Sequence, residues 1–261
     1  MDGVSPGVDV RRSAPLTFLL LVTVLSVPFF VLGAVTDGIR IGSLELPASA
    51  VMFTLPVIVA AILVARADGR AAVARLLRRA VDFRAAPRTV WFLVAVGVPA
   101  AVALISVAVA GASNLIDLRM PIVWWMIPIV VAGSLFAAAC EELGWTGYAT
   151  DPLQRRYGTV GTGIGLGLFW AVWHLVPLLQ VGHELGWIAG WFVGTVALRC
   201  VIVWLHNNTG YGVSAAILMH ATSNVTVVLT PDYDKTVGTV LPAVLTTAVA
   251  TVVLWPRRLS R

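Results

Sequence analysis

The 261-residue chain is 59% hydrophobic and only 12% charged, with a mean hydropathy of +0.90 and a formal net charge of +5. A soluble domain carries roughly a quarter charged residues, so this composition excludes one and points to an integral membrane protein. The positive charge does not indicate nucleic acid, because the arginines flank apolar segments, where orientation in a bilayer explains them.

Runs near twenty apolar residues predict membrane helices over about 15–35, 46–65, 89–112, 121–147, 159–180, 186–206, 211–230 and 238–256. The expected fold class is all-α, a polytopic membrane helix bundle of about eight transmembrane helices. It forms a single membrane-embedded domain over 1–261, with a motif-bearing core at about 121–230. Arg11 and Arg12 precede the first run as they would in a signal peptide. That run is longer than the roughly 7–15-residue core of such a peptide, so a retained helix is expected. If both termini are cytoplasmic, the inside segments hold fourteen arginines, the outside loops hold Arg40, Arg119 and Lys235, and Arg199 remains within a span. The asymmetry favours that orientation.

Residues 66–88 alternate apolar groups with arginines (Ala72, Val73, Leu76, Leu77 and Val81 against Arg75, Arg78 and Arg79), the pattern of an interfacial amphipathic helix lying on anionic lipid. Gly161/Gly165 and Gly163/Gly167 are each four apart and offer smooth faces for close helix approach. No lysine follows these glycines and no strand precedes them, so they are not a phosphate loop. Cys140 and Cys200 both fall in apolar runs, which argues for small buried hydrophobes and against a disulfide framework.

The chemistry-bearing residues stand inside the apolar runs. Glu141 and Glu142 end the run that begins near Pro121, His174 lies in the fifth run, and His220 and Asn224 lie four apart in the seventh. Ionisable groups cost about 2.5–3.5 kcal/mol each at a helix centre on insertion scales, so their presence calls for a function. Neighbouring helical residues point about 100° apart, so one glutamate serves a site while the other braces a neighbouring helix. Glu142 and Thr146 share a face. With the fourth helix leaving the bilayer near Ala149, Glu141 lies about 12 Å inside at ~1.5 Å per residue. His174, His220 and Asn224 lie at broadly similar depth.

A carboxylate and a histidine can deprotonate water. A histidine and an asparagine four apart offer two donors to an oxyanion. Glu141, His174 and His220 also make a possible zinc triad, one carboxylate and two imidazoles. Either arrangement points to hydrolysis of an amide or ester. The soluble zinc-protease motif is absent, because His183-Glu184 is followed by Trp187 where a second histidine is needed. No Gly-x-Ser-x-Gly elbow appears.

Glu141-Glu142-Leu-Gly-Trp-Thr146, Trp170-x-x-x-His174 and His220-x-x-x-Asn224 resemble, in order, the three signatures of the CAAX-protease and bacteriocin-processing (Abi) family: Glu-Glu-x-x-x-Arg, Phe-x-x-x-His and His-x-x-x-Asn. The resemblance implies an intramembrane endopeptidase, often labelled a metalloprotease, and a multi-pass protein of a bacterial plasma membrane is expected. Its substrate would be a membrane-anchored protein or peptide. By that analogy Glu141 and His174 activate the water, His220 and Asn224 stabilise the oxyanion, and Glu142 supports the site. Zinc is the metal to expect if one is bound. Two departures stand out. Thr146 occupies the arginine position and Trp170 the phenylalanine position. The missing counter-charge makes Arg199 a candidate replacement, with an Arg199–Glu142 contact expected, since a buried arginine needs a carboxylate partner. The competing readings are a catalytically silent scaffold or immunity protein of the same fold, and an ion- or proton-coupled transporter. The latter favours an internal repeat that the sequence lacks.

Overall fold

The computed structural model describes residues 14–41, 44–83 and 88–255. Arg11, Arg12, Arg84, Arg257, Arg258 and Arg261, used above for orientation, lie outside the described residues. Ten α-helices are described: α1 (Pro15–Val35), α2 (Leu55–Asp68), α3 (Arg70–Arg78), α4 (Val90–Ala112), α5 (Ile127–Gly144), α6 (Asp151–Trp173), α7 (Leu175–Gln180), α8 (Leu185–Asn208), α9 (Ser214–Leu229) and α10 (Val237–Leu254). Prolines open α1, α2, α5 and α6 in their first two positions, where the missing N–H has no intrahelical partner to lose. The loop after α1 carries a two-stranded hairpin, β1 (Ile39–Ile41) antiparallel to β2 (Leu44–Leu46) with Ile39 opposite Leu46. A 3₁₀ turn over Ala48–Thr54 leads into α2.

All eight predicted runs appear as helix. Among the described residues, six helical stretches are long and apolar enough to cross a membrane by length and composition. One of them, Trp124–Gln180, holds two of the predicted spans, and the 16-residue α9 is a shorter apolar helix. The fold is thus an all-α polytopic bundle, in which a count of eight spans is approximate. Its outer faces are apolar: Leu93 and Leu104 of α4 are 70% and 71% exposed, as side chains facing lipid should be. The polar groups lie inside.

One predicted boundary moves. The fourth helix does not end near Ala149. It passes through a π-helical turn over Trp145–Thr150 and continues as α6, with Thr150 Oγ1 donating to the Trp145 carbonyl. The chain reverses instead at Gly158, whose φ of 68° breaks the helical path in a region favourable to glycine. The second half of α6 then lies against α8. Here only one of the two glycine faces is used. A Cβ on Gly163 would stand 3.0 Å from Cys200 Cα and one on Gly167 3.0 Å from Val196 Cα, whereas Gly165 meets nothing within 4 Å. Backbone cannot yield as a side chain does, so α6 and α8 approach this closely because glycine stands at 163 and 167.

Helix α3 lies where the arginine-rich loop predicts it. Ala72 and Leu76 are buried, while Arg75 and Arg78 are exposed. Helix α1 packs into the bundle through Phe18, Val22 and Ser26, and the Trp173 indole donates to Ser26 Oγ at 2.7 Å.

Candidate active site

The site is assembled where α2, α5, α6, α8 and α9 meet. Gly144 lets α2 come close to the end of α5: a Cβ there would stand 2.7 Å from the Pro56 backbone. One turn before it, Glu141 is 4% exposed and Glu142 is fully buried.

Glu142 is held by four hydrogen bonds. Arg199 of α8 donates from Nη1 to Oε2 and from Nη2 to Oε1, both at 2.8 Å. His220 of α9 donates from Nδ1 to Oε1 at 2.9 Å, and Thr146 Oγ1 donates to Oε2. Arg199 is itself fully buried. Removing two ions from water costs several kcal/mol each, and only good geometry with every lone pair engaged offsets it. The two-pronged guanidinium fork meets that demand for the carboxylate. The expected Arg199–Glu142 contact is therefore present. Arg199 Nε is buried without a hydrogen-bond partner among the described residues.

Glu141 has different company. Its Oε2 accepts from the Trp145 indole at 3.1 Å and from the Trp170 indole at 2.7 Å. No cation pairs with it among the described residues, and its Oε1 has no hydrogen-bond partner there.

His174 caps the C-terminus of α6 and is half-buried. Its Nδ1 lies 2.9 Å from the Trp170 carbonyl. A carbonyl only accepts, so Nδ1 carries the proton and Nε2 keeps its lone pair in the neutral ring. The ring stands edge-on to Trp170 and Trp173, at centroid distances of 5.9 and 4.8 Å. His220 meets Trp170 edge-to-face at 4.9 Å. Asn224 lies one turn after His220 and is half-buried, with no hydrogen bond among the described residues.

Glu142, Arg199 and His220 are thus bonded together, Glu141 and His174 join them through Trp170, and Asn224 shares only the His220 helix. Among the described residues no three His, Cys, Asp or Glu side chains cluster as a metal-ligand set. Glu141 Oε2 accepts from the indoles and the Nδ1 atoms of His174 and His220 bond to the Trp170 carbonyl and to Glu142, so Glu141 Oε1 and the two Nε2 atoms are the ones that would meet a zinc ion.

Sequence reasoning noted Trp170 only as a departure at the phenylalanine position, yet it touches Glu141, His174, Arg199 and His220. The signal was available, because a buried indole N–H needs an acceptor. A second polar cluster went unnoticed. His206 is fully buried, with Nε2 2.9 Å from Asp151 Oδ1 and Nδ1 3.1 Å from the Gly212 carbonyl. Arg79 donates to the Gly147 carbonyl at 2.6 Å and to the Tyr211 carbonyl at 2.9 Å. Burial lowers the Arg79 guanidinium from its ordinary range, and Asp151 and Asp82 pull it back up. No spacing pattern marks these residues, since they lie on three separate segments.

Comparison with known proteins agrees with the motifs. Residues 123–226 match the family model described as Type II CAAX prenyl endopeptidase Rce1-like. A curated relative, a CAAX prenyl protease 2 from Methanococcus maripaludis, is 33% identical over 95 residues, covering 33% of this chain and 35% of the relative. The matched stretch thus spans about a third of the length of that relative. The resemblance to the CAAX-protease family is shown over residues that contain all three motifs.

Proposed function

We propose that this chain is an intramembrane endopeptidase that hydrolyses a peptide bond of a membrane-associated protein or peptide. Glu141 and His174 activate water, and His220 with Asn224 stabilises the oxyanion. The observation that carries this is the contrast between two adjacent carboxylates. Glu142 is filled by four donors, whereas Glu141 is fixed through one oxygen and has the other unengaged.

The chemistry follows from those atoms. Glu141 Oε1 takes a proton from water as the water oxygen attacks the scissile carbonyl carbon. The Nε2 lone pair of His174 is the second acceptor that orients the water. As the carbonyl oxygen gains charge, His220 Nε2–H and the Asn224 amide donate to it. Nδ1 of His220 is already committed to Glu142, so Nε2 donates only from the imidazolium, whose charge the Glu142 carboxylate offsets. When the C–N bond breaks, the proton held by Glu141 passes to the leaving amine. Glu142 and Arg199 hold His220 in place.

The substrate class follows from the setting, a site within a polytopic bundle, and the names of the family match and the relative make prenylated C-terminal peptides the first to try. The test is cleavage of a panel of membrane-anchored peptides by the full chain in lipid, beside Glu141→Gln. The wild type cleaves, and the variant falls to a small residual rate although it accumulates normally. If both proteins leave every peptide intact yet support the same cellular phenotype, the scaffold reading replaces this one. A chelator arm decides the metal question. Activity that survives chelation keeps Glu141, His174 and His220 in the acid–base and oxyanion roles given above. Loss that zinc restores would move His174 and His220 into a ligand role.

A further inference from the structure

Resting on the endopeptidase reading, we infer that Trp145 and Trp170 are positioning residues whose indole N–H groups hold Glu141, fixing one carboxylate oxygen and leaving the other to water. Both indoles donate to the same atom, Oε2, at 3.1 and 2.7 Å. Both rings are buried. An indole has one donor and no acceptor, so inside an apolar bundle its hydrogen bond is directional and has no substitute. The two donors come from different elements, Trp145 from the π-helical turn and Trp170 from α6. A carboxylate gripped from two sides cannot swing, which one donor on its own helix would permit.

The Trp170 ring is itself locked. The Arg199 guanidinium carbon lies 4.3 Å from its ring centroid, His220 abuts it at 4.9 Å, and its backbone carbonyl sets the His174 tautomer. Trp170 therefore fixes the geometry of Glu141 and His174 together. A phenylalanine at 170 would fill much of this space but could not donate. The departure from the family pattern at 170 is thus a change of chemistry rather than of bulk. Two other buried indoles show what purely structural ones do in this fold. Trp173 ties α6 to Ser26 of α1, and Trp187 donates to the Tyr233 carbonyl.

The experiment uses the full chain in lipid and a peptide that the wild type cleaves and Glu141→Gln cleaves only at a residual rate. That first pair of measurements tests the endopeptidase reading alone. Trp170→Phe and Trp145→Phe are then compared with Trp187→Phe. Each of the first two is expected to lower kcat about tenfold to hundredfold, as a misplaced catalytic group does, with KM within about twofold. Trp187→Phe is expected to change accumulation or thermal stability without lowering kcat. Adding Trp170→Phe to Glu141→Gln should cause no further loss. A readout free of turnover covers a variant that fails to accumulate. In ¹⁵N-tryptophan-labelled protein, Glu141→Ala should move the indole N–H resonances of Trp145 and Trp170 and leave that of Trp187 in place. Wild-type kcat in both indole variants, a rise in KM in place of the fall in kcat, or unmoved resonances overturns the inference while leaving the endopeptidase reading intact.

Discussion

Two buried clusters in this bundle use nearly the same residue types and end differently. Around Trp170, two carboxylates, two histidines and an arginine meet. Around His206, an aspartate, a histidine and an arginine meet. In the second cluster both ring nitrogens of His206 are engaged by acceptors, and Arg79 spans two backbone carbonyls. That cluster engages its buried histidine fully and ties the segment after α3 to the π-helical turn and to the loop before α9. In the first, Glu142 and Arg199 close on each other, but Glu141 Oε1, His174 Nε2 and Asn224 have no hydrogen-bond partner among the described residues. Residue type alone separates neither. What distinguishes a site from a clamp is the polar capacity left over after the internal hydrogen bonds are made.

The sharpest way to break this comparison is at Glu141. Glu141→Gln keeps the shape and removes the base, so cleavage should fall by about 10²- to 10⁴-fold, measured as initial rate on a membrane-anchored peptide. An active variant would place the chemistry elsewhere. Arg199→Leu comes next. It leaves the buried Glu142 with only His220 and Thr146 as donors, a loss of about 3–5 kcal/mol, and joining it to Glu142→Leu should recover much of that. Thermal unfolding of Arg199→Leu and of the double variant checks both expectations. His206→Ala should cost less, about 1–3 kcal/mol, because Asp151 is only partly buried and water can reach its freed oxygen. Its folded fraction should keep wild-type kcat, and a fall in kcat with unchanged Tm would mean that the second cluster is more than a clamp.

The smallest effect belongs to the exposed loop before α10. Asp232 lies below the usual carboxylate range, chiefly through the hydrogen bond from Lys235 and then through that from the Asp117 backbone N–H. A depressed carboxyl stabilises the fold above its unfolded value near about 3.9, and this is lost as pH falls through the folded value. Asp232→Asn should therefore lower Tm slightly at pH 7, and the difference should shrink as the pH falls below the unfolded value. Asparagine tolerates the positive φ of 50° at this position, so the backbone is not disturbed. An undiminished difference at low pH would show that charge is not the cause.

The apolar runs determined the helices, because roughly twenty residues free of charge admit few alternatives in a bilayer, where each backbone polar group must bond within its own helix. The same physics made Glu141, Glu142, His174 and His220 conspicuous, since ionisable groups in such runs are costly. It also anticipated the Arg199–Glu142 pair, because a buried cation needs an anion and Glu142 was a free candidate on a neighbouring helix. The helix end near Ala149 was misplaced, because a π-helical turn leaves no compositional mark and Gly158 supplies the real break. Which of two adjacent glutamates is satisfied and which is left open depended on what α6, α8 and α9 bring to each, and so did the indole grip on Glu141 and the His206 clamp. Among those pairings, Glu141 and Trp170 lie 29 residues apart in the chain, Asp151 and His206 55, and Glu142 and His220 78. Periodicity reports only which face of one helix is apolar. The donors that arrive from other helices are decided by packing, and with them the division between structure and site.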